Sequence, residues 1–166
     1  IRRQRQMCIR DRSFVLYDLG NDAWSIHDIE HATLRVAPDS TYKIYDALFG
    51  LEEGVITPEN SFIAWDGENY PFEAWNADQT LQSAMTSSVN WYFQSIDEQL
   101  ASTNIYNYIQ QIGYGNENVS GDLSTYWLES SLKISPVEQV ELLMKLQNNS
   151  LGFSSENINA VKDSIC

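Results

Sequence analysis

Two residues of this chain could together carry out nucleophilic chemistry, because Ser40 and Lys43 lie three positions apart at the predicted start of a helix. Residues i and i+3 share one face of a helix, so the Lys43 amine can reach the Ser40 hydroxyl and take its proton. Asp39 is a predicted N-cap, and the free N–H groups of a helix start favour a developing oxyanion. Ser-x-x-Lys is a common pattern, and the alternative is a capped surface helix.

Two further short motifs follow, Ser88-Val89-Asn90 and Tyr114-Gly115-Asn116. A serine that attacks an acyl bond needs a relay or donor group beside its base. In isolation, Ser88 is equally well explained as a helix N-cap, and Tyr-Gly-Asn as a turn that ends a helix. The weight of both motifs therefore comes from their occurrence together with Ser40 and Lys43.

The elements that must hold these residues follow from periodicity and turn signals. Alternation over residues 13–19 predicts a strand, Gly20-Asn21-Asp22 a turn, and Ala23–His27 the hairpin partner of that strand. The remaining pattern is mainly helical, apart from an aromatic-rich irregular stretch over residues 58–76. The predicted helices cover 42–53, then two or three helices within 77–111 with breaks near Ser87 and Ser102, then Pro136–Gln147 with Val137, Val140, Leu143 and Met144 inward.

The three motifs together resemble those of the penicillin-recognising serine enzymes, specifically the class D β-lactamases and the BlaR/MecR-type β-lactam sensor domains. The likeness covers about residues 13 to 150 and includes Tyr70-Pro71-Phe72-Glu73-Ala74-Trp75-Asn76 and Tyr126-Trp127-Leu128-Glu129. It implies an α+β fold of the class D β-lactamase/transpeptidase type, in which a helical region is inserted after the first strands of the sheet.

The resemblance also implies a role for each matched residue. Ser40 would be the acylated nucleophile and Lys43 its general base, converted by carbon dioxide to a carbamate. Ser88 would relay the proton to the substrate nitrogen. Trp127 would donate its indole N–H to the carbamate; the alternative is a plain core aromatic. A turn bordering the site would be formed by Tyr114, Gly115 and Asn116. The site is expected to hold no metal and no cofactor other than the carbon dioxide of the carbamate.

Asn90 distinguishes the two subfamilies that the chain resembles. The hydrolysing class D enzymes usually carry an apolar valine there, whereas the sensor domains carry asparagine. A polar amide beside Lys43 favours loss of the carbamate, which leaves no base to activate a water, so the acyl-enzyme would persist. An alternative frame, Ser87-Ser88-Val89, would restore the valine but shift Ser88 out of its role. Tyr42 is also more typical of the sensors than the phenylalanine of the hydrolases.

Composition limits the possible partners of the chain. Its net charge of −13 argues against nucleic acid, because a phosphate-binding surface needs clustered Lys and Arg. The resemblance implies β-lactam antibiotics as ligands and a membrane signalling module joined through an N-terminal region. The expected location is the extracytoplasmic face of a bacterial membrane, and the alternative is a secreted β-lactamase.

The two ends of the chain are expected to depart from a complete domain. Residues 1–12 carry five of the ten basic residues and resemble a translated sequencing-adapter sequence; the alternative is a basic segment flanking a membrane helix. Residues 13–166 are expected to be the N-terminal and central part of one penicillin-binding serine-transferase domain. No Lys-Thr-Gly or Lys-Ser-Gly triplet occurs, so the strand that carries this motif in the family, the later strands and the C-terminal helix are expected to be missing. A third hypothesis is accordingly a fragment whose site is never completed, and open sheet edges are expected.

Overall fold

The computed structural model describes residues 12–165, so the predicted adapter-like segment lies outside the described residues except for Arg12. Within the described part the fold is α+β, as predicted, and most of it is helical. The elements are β1 (Phe14–Asp18), β2 (Ala23–His27), α1 (Ile29–Thr33), α2 (Lys43–Glu52), α3 (Leu81–Thr86), α4 (Asn90–Ile112), α5 (Pro136–Gln147) and α6 (Ser155–Ser164).

The predicted hairpin is confirmed. Strands β1 and β2 pair antiparallel, with Phe14 opposite His27 and Asp18 opposite Ala23. The Asp18 carboxylate accepts the backbone N–H groups of Gly20 and Asn21, which closes the turn. These two strands form the whole sheet of residues 12–165, and large apolar side chains of the hairpin are therefore exposed, namely Phe14, Leu16, Trp24 and Ile26.

Helices α2 and α4 cross at the centre of the molecule, and α6 packs against the other side of α2. Gly50 permits this close crossing, because a Cβ at that position would lie 2.7 Å from the Ile96 side chain. Helix α4 is broken at Ala101, where φ is 61° and ψ is 155°, one residue before the break predicted near Ser102. The crossing places the first residue of α2 beside the first residues of α4, where the candidate site lies.

Helix α5 has the predicted bounds, but its predicted inward face is wrong. Leu142 and Leu146 are the buried residues, whereas Leu143 is exposed and Val137, Val140 and Met144 are half-buried. The helix packs between α1 and β1, and its Leu143–Met144 side faces Tyr17 and Leu19 of the two-stranded hairpin. A narrow sheet covers that side only in part, which explains the exposure.

A search of residues 12–165 for membrane-spanning segments found no helix with the length and apolarity that crossing a bilayer requires.

Candidate active site

The turn that carries Ser40 leads directly into helix α2. Residues Asp39–Tyr42 form one 3-10 turn, and the α-helix begins at Lys43. The predicted N-cap role of Asp39 is wrong, because no side chain caps this turn. The Asp39 carboxylate instead accepts the backbone N–H of Glu129 at 3.1 Å, and its own N–H donates to the carbonyl of Trp127 at 3.0 Å. Asp39 therefore ties the nucleophile turn to the loop that carries Trp127.

The Lys43 amine lies at the centre of a set of oxygen atoms. Nζ is 3.1 Å from Ser40 Oγ, 2.7 Å from Ser88 Oγ and 2.9 Å from the Ser88 carbonyl. The two serine hydroxyls are themselves 3.0 Å apart, so the three groups form a closed triangle. Lys43 is 1% exposed, whereas Ser40 lies open to solvent. This arrangement leaves the nucleophile accessible to a substrate and keeps its candidate base away from water.

Burial also changes the acidity of the base. Loss of hydration lowers the pKa of Lys43 to about 8, and the nearby Asp46 side chain has a smaller opposing effect. A substantial fraction of the amine is therefore free of its proton just above neutral pH, as a general base requires.

The Ser88 hydroxyl is positioned by a strained backbone between α3 and α4. Ser88 has a φ of 52°, a left-handed conformation that costs a non-glycine residue about 1–2 kcal/mol. The indole N–H of Trp75 donates to the Ser87 carbonyl at 3.0 Å, and the indole of Trp91 donates to the Trp75 carbonyl at 2.9 Å. The alternative role of Ser88 as an N-cap is not what the structure shows, since α4 begins after Val89 without a side-chain cap. Sequence analysis missed the function of Trp75 in holding this loop.

Asn90 is the first residue of α4, and its Oδ1 accepts a hydrogen bond from Lys43 Nζ at 2.6 Å. Ser88 and Asn90 thus both contact the amine, while the Val89 side chain between them is buried in the core. This is the geometry expected from the frame Ser88-Val89-Asn90. The alternative frame would assign the contact to Val89, which cannot make it.

Trp127 forms part of the site, and beside the unmodified Lys43 amine its indole N–H has another partner. Its ring centre lies 5.5 Å from Lys43 Nζ, so the indole forms part of the wall around the base. The indole N–H, however, donates to Asp97 Oδ2 at 2.8 Å and not toward Lys43. Sequence analysis missed Asp97. The available signal was an acidic residue on the buried face of a helix, four residues after Phe93 and three before Leu100.

The structure does not bring Tyr114, Gly115 and Asn116 to the reacting atoms. Tyr114 is buried behind the site and packs edge-on against the rings of Tyr42 and Tyr45. Asn116 exchanges two hydrogen bonds with the backbone of Lys133, both of 2.9 Å. This turn supports the site from behind because it anchors the loop that ends at Lys133 and packs under Tyr42.

Two clefts meet at Ser40. One, of about 410 Å³, is lined by Ser40, Phe72, Trp75, Ser87, Ser88 and Asn90, and the other, of about 430 Å³, by Ser40, Ile44, Met85, Thr86, Ser164 and Ile165. Phe72 is 60% exposed and stands at the edge of the first cleft, which gives this cleft an apolar wall opposite polar groups. A substrate with an apolar substituent and a reactive carbonyl fits this pattern.

Comparisons with known proteins agree with the geometry. Residues 22–165 match the family model described as the penicillin binding protein transpeptidase domain. The chain is 46% identical over 152 residues to the regulatory protein BlaR1 of Bacillus licheniformis, covering 92% of this chain and 25% of that protein. The solved C-terminal domain of the B. licheniformis BlaR penicillin-receptor superposes with a TM-score of 0.89 at 45% identity, covering 92% of this chain and 61% of that chain.

A class D β-lactamase structure has the same TM-score at a lower sequence identity. The enzyme from Bacillus subtilis superposes with a TM-score of 0.89 at 37% identity, covering 92% of this chain and 64% of that chain. The chain thus spans about a quarter of the BlaR1 sequence and under two thirds of the solved domains.

Proposed function

The chain belongs to the family of penicillin-binding protein transpeptidase domains, and from this membership we propose that it binds β-lactam antibiotics by covalent acylation of Ser40. The proposed setting is the sensor domain of an antibiotic-resistance signal transducer, held on the extracytoplasmic face of a bacterial membrane and joined to a membrane signalling module. One observation carries the chemical part of the proposal: a buried lysine amine contacts the hydroxyl of an exposed serine and the hydroxyl of a second serine.

Acylation follows from this geometry. Ser40 Oγ attacks the carbonyl carbon of the lactam while its proton moves to Lys43 Nζ, 3.1 Å away. Ser88, which contacts both Nζ and Ser40 Oγ, passes a proton to the lactam nitrogen as the C–N bond breaks. The product is an ester between Ser40 and the opened antibiotic, and the amine recovers its original protonation.

The residues around Nζ fit the carbamate expected on Lys43. The hydroxyls of Ser40 and Ser88 can donate to an anionic oxygen. When formed, a carbamate supplies a negatively charged base at this position. These donors hold and orient it, and the exclusion of water from Lys43 protects it.

Asn90 favours a sensor over a hydrolase. Its Oδ1, 2.6 Å from Nζ, stabilises a protonated amine and is repelled by an anion. After acylation Ser40 no longer has a hydroxyl proton to donate to a carbamate. The equilibrium between the carbamate and the ammonium form of Lys43 therefore moves toward the ammonium form. A water molecule in the cleft then lacks a base, and the ester persists.

The first test follows acylation by intact-protein mass spectrometry over time after addition of benzylpenicillin. The sample is the protein expressed from its full reading frame. The 166-residue chain and the Ser40→Ala variant are the controls. A penicilloyl adduct on Ser40 that outlasts the free drug supports the sensor. Absence of any adduct on the complete protein would contradict covalent β-lactam binding altogether.

A class D β-lactamase is the second candidate function, because the chain superposes equally well on such an enzyme. The same time course separates the two functions. An adduct that disappears while the drug is consumed establishes turnover, because water must then cleave the ester on Ser40.

Replacement of Asn90 by valine is expected to shorten the lifetime of the acyl-enzyme about tenfold, since it removes the acceptor that stabilises the ammonium. Decay of the purified adduct, followed by mass spectrometry, measures this change. Asn90→Ala is the matched control, because it removes the amide without filling the space. Equal lifetimes in the parent and both variants would exclude Asn90 as the cause of persistence.

A further inference from the structure

A buried carboxylate next to the site has no role in acylation. Asp97 lies on α4, is 0% exposed and contacts neither Ser40 nor Lys43 among the hydrogen bonds of the described residues. Its Oδ1 accepts the hydroxyl of Tyr126 at 2.8 Å and its Oδ2 accepts the indole N–H of Trp127 at 2.8 Å. A buried charge is costly unless several donors satisfy it, so this carboxylate is held by a built set of donors.

A second buried carboxylate, Asp46, lies near Asp97. Asp46 lies one turn after Lys43 on α2, is fully buried, and neither of its oxygens has a donor among the described residues. Its side chain is within hydrogen-bonding reach of Asp97. Burial raises the pKa of Asp46 well above its ordinary value, and the nearby Asp97 charge raises it further. Burial also raises the pKa of Asp97, but only to about 7, because Tyr126 and Trp127 donate to it, so the negative charge of the pair is assigned to Asp97.

The Asp97 carboxylate also positions the aromatic residues that surround the Lys43 amine. The centre of the Trp127 ring lies 5.5 Å from Lys43 Nζ, and this ring stacks on the Tyr42 ring with 6.0 Å between the ring centres. The hydroxyls of Tyr42 and Tyr126 are hydrogen-bonded at 2.6 Å. Tyr126 in turn donates to Asp97. The orientation of the indole is therefore fixed twice by Asp97, once directly through the N–H and once through two tyrosines.

We infer that Asp97 is a positioning residue that prolongs the acyl-enzyme by holding the indole N–H of Trp127 away from Lys43. The inference rests on the proposed function. A carbamate forms when the amine nitrogen bonds to the carbon of carbon dioxide and loses a proton to solvent, and its oxygens need donors. The indole N–H of Trp127 donates to Asp97 and is not available to a carbamate on Lys43. The carbamate is therefore less stable than it would be with a hydrogen bond from this indole. The base is more easily lost, and water attack on the ester slows.

Variants of Asp97 separate capture of the indole from simple support of the core. Asp97→Ala removes the acceptor and is expected to shorten the acyl-enzyme lifetime about tenfold, about 1.4 kcal/mol, and to raise the carbamate signal of Lys43 in ¹³C NMR with labelled bicarbonate. Asp97→Asn keeps an acceptor for the indole and is expected to retain the parent lifetime. The double variant Asp97→Ala/Trp127→Phe has no indole N–H. We expect it to show neither the shortened acyl-enzyme lifetime nor the raised carbamate signal of Asp97→Ala. An unchanged acyl-enzyme lifetime in Asp97→Ala would overturn the inference. Equal shortening of the lifetime in the Asp97→Ala and Asp97→Asn variants would also overturn it.

A measurement on the unaltered protein keeps the inference testable if Asp97→Ala does not fold. With ¹⁵N-labelled tryptophan, the Trp127 indole resonance is identified by its loss in Trp127→Phe, among the five tryptophans of the chain. Addition of bicarbonate is expected to change the Lys43 signal without moving the indole resonance, because that proton stays with Asp97. A shift of the indole resonance would overturn the inference. Failure of Ser40 to acylate is a different result, and it would contradict the proposed function instead.

Discussion

Replacement of Lys43 by methionine is expected to slow the acylation of Ser40 by benzylpenicillin about 10³-fold, within the range that general base catalysis contributes. Methionine has a similar length and is apolar, so it can occupy the buried position without an unpaired charge. What it removes is the nitrogen 3.1 Å from Ser40 Oγ and 2.7 Å from Ser88 Oγ. Without that nitrogen, the serine must lose its proton to water.

The pH dependence of acylation gives this prediction a second readout. Burial lowers the pKa of Lys43 to about 8, and only the unprotonated amine accepts a proton. In bicarbonate-free buffer the acylation rate of the parent is therefore expected to rise with pH and to level off above about 8, whereas Lys43→Met is expected to show a flat profile. Stopped-flow measurement with a chromogenic cephalosporin records both profiles.

An exposed lysine provides the control for the loss of charge. Lys145 lies in the last turn of α5, and Lys145→Met changes the net charge by the same amount as Lys43→Met. We expect this variant to acylate at the parent rate with the parent profile. Equal rates in all three proteins would exclude Lys43 as the base.

Replacement of Gly115 by alanine is expected to reduce the free energy of unfolding by about 4 kcal/mol, a loss typical of the most severe substitutions. A Cβ at this position would lie 1.9 Å from the carbonyl oxygen of Lys133 and 2.9 Å from the Cα of Ile134. Both atoms belong to the backbone, so no side-chain rotation relieves the clash. Gly115 also has a φ of 53°, which alanine adopts only at a cost.

Gly113 offers a matched control two residues earlier. It also has a positive φ, 67°, but a Cβ there would meet nothing within 4 Å. Gly113→Ala is therefore expected to cost only the conformational strain, about 1–2 kcal/mol. Urea unfolding followed by tryptophan fluorescence gives both values. Similar losses in the two variants would show that conformation, and not the contact with Lys133, requires glycine at position 115.

Local patterns were sufficient to predict most of the elements. The hairpin of β1 and β2, the bounds of α5 and the break in α4 depend on alternation, capping and turn residues within a few positions of each other. The inward face of α5 was not predictable in the same way. Which of its apolar sides is buried depends on how many strands lie beside it, and that is a property of the sheet.

The reacting groups were likewise predicted from short motifs. Ser40 and Lys43 are neighbours because three residues of helical backbone bring them together, and Ser88 and Asn90 were identified by the motif they share. What the motifs could not provide was the partner of each polar atom. The carboxylate of Asp39 bonds to Glu129, ninety residues away, and not to its own helix.

The amino-acid sequence by itself indicated the strands, the helices and the candidate nucleophile, base and relay, because turn signals, periodicity and short motifs lie within a few residues of each other. Only the tertiary structure decided that the indole of Trp127 donates to Asp97 and that Tyr114-Gly115-Asn116 lies behind the reacting atoms. The physical reason is that a buried donor takes the best acceptor within reach. For Trp127 that acceptor is a desolvated carboxylate thirty residues earlier in the chain, brought there by the packing of α4 against the loop that carries the indole.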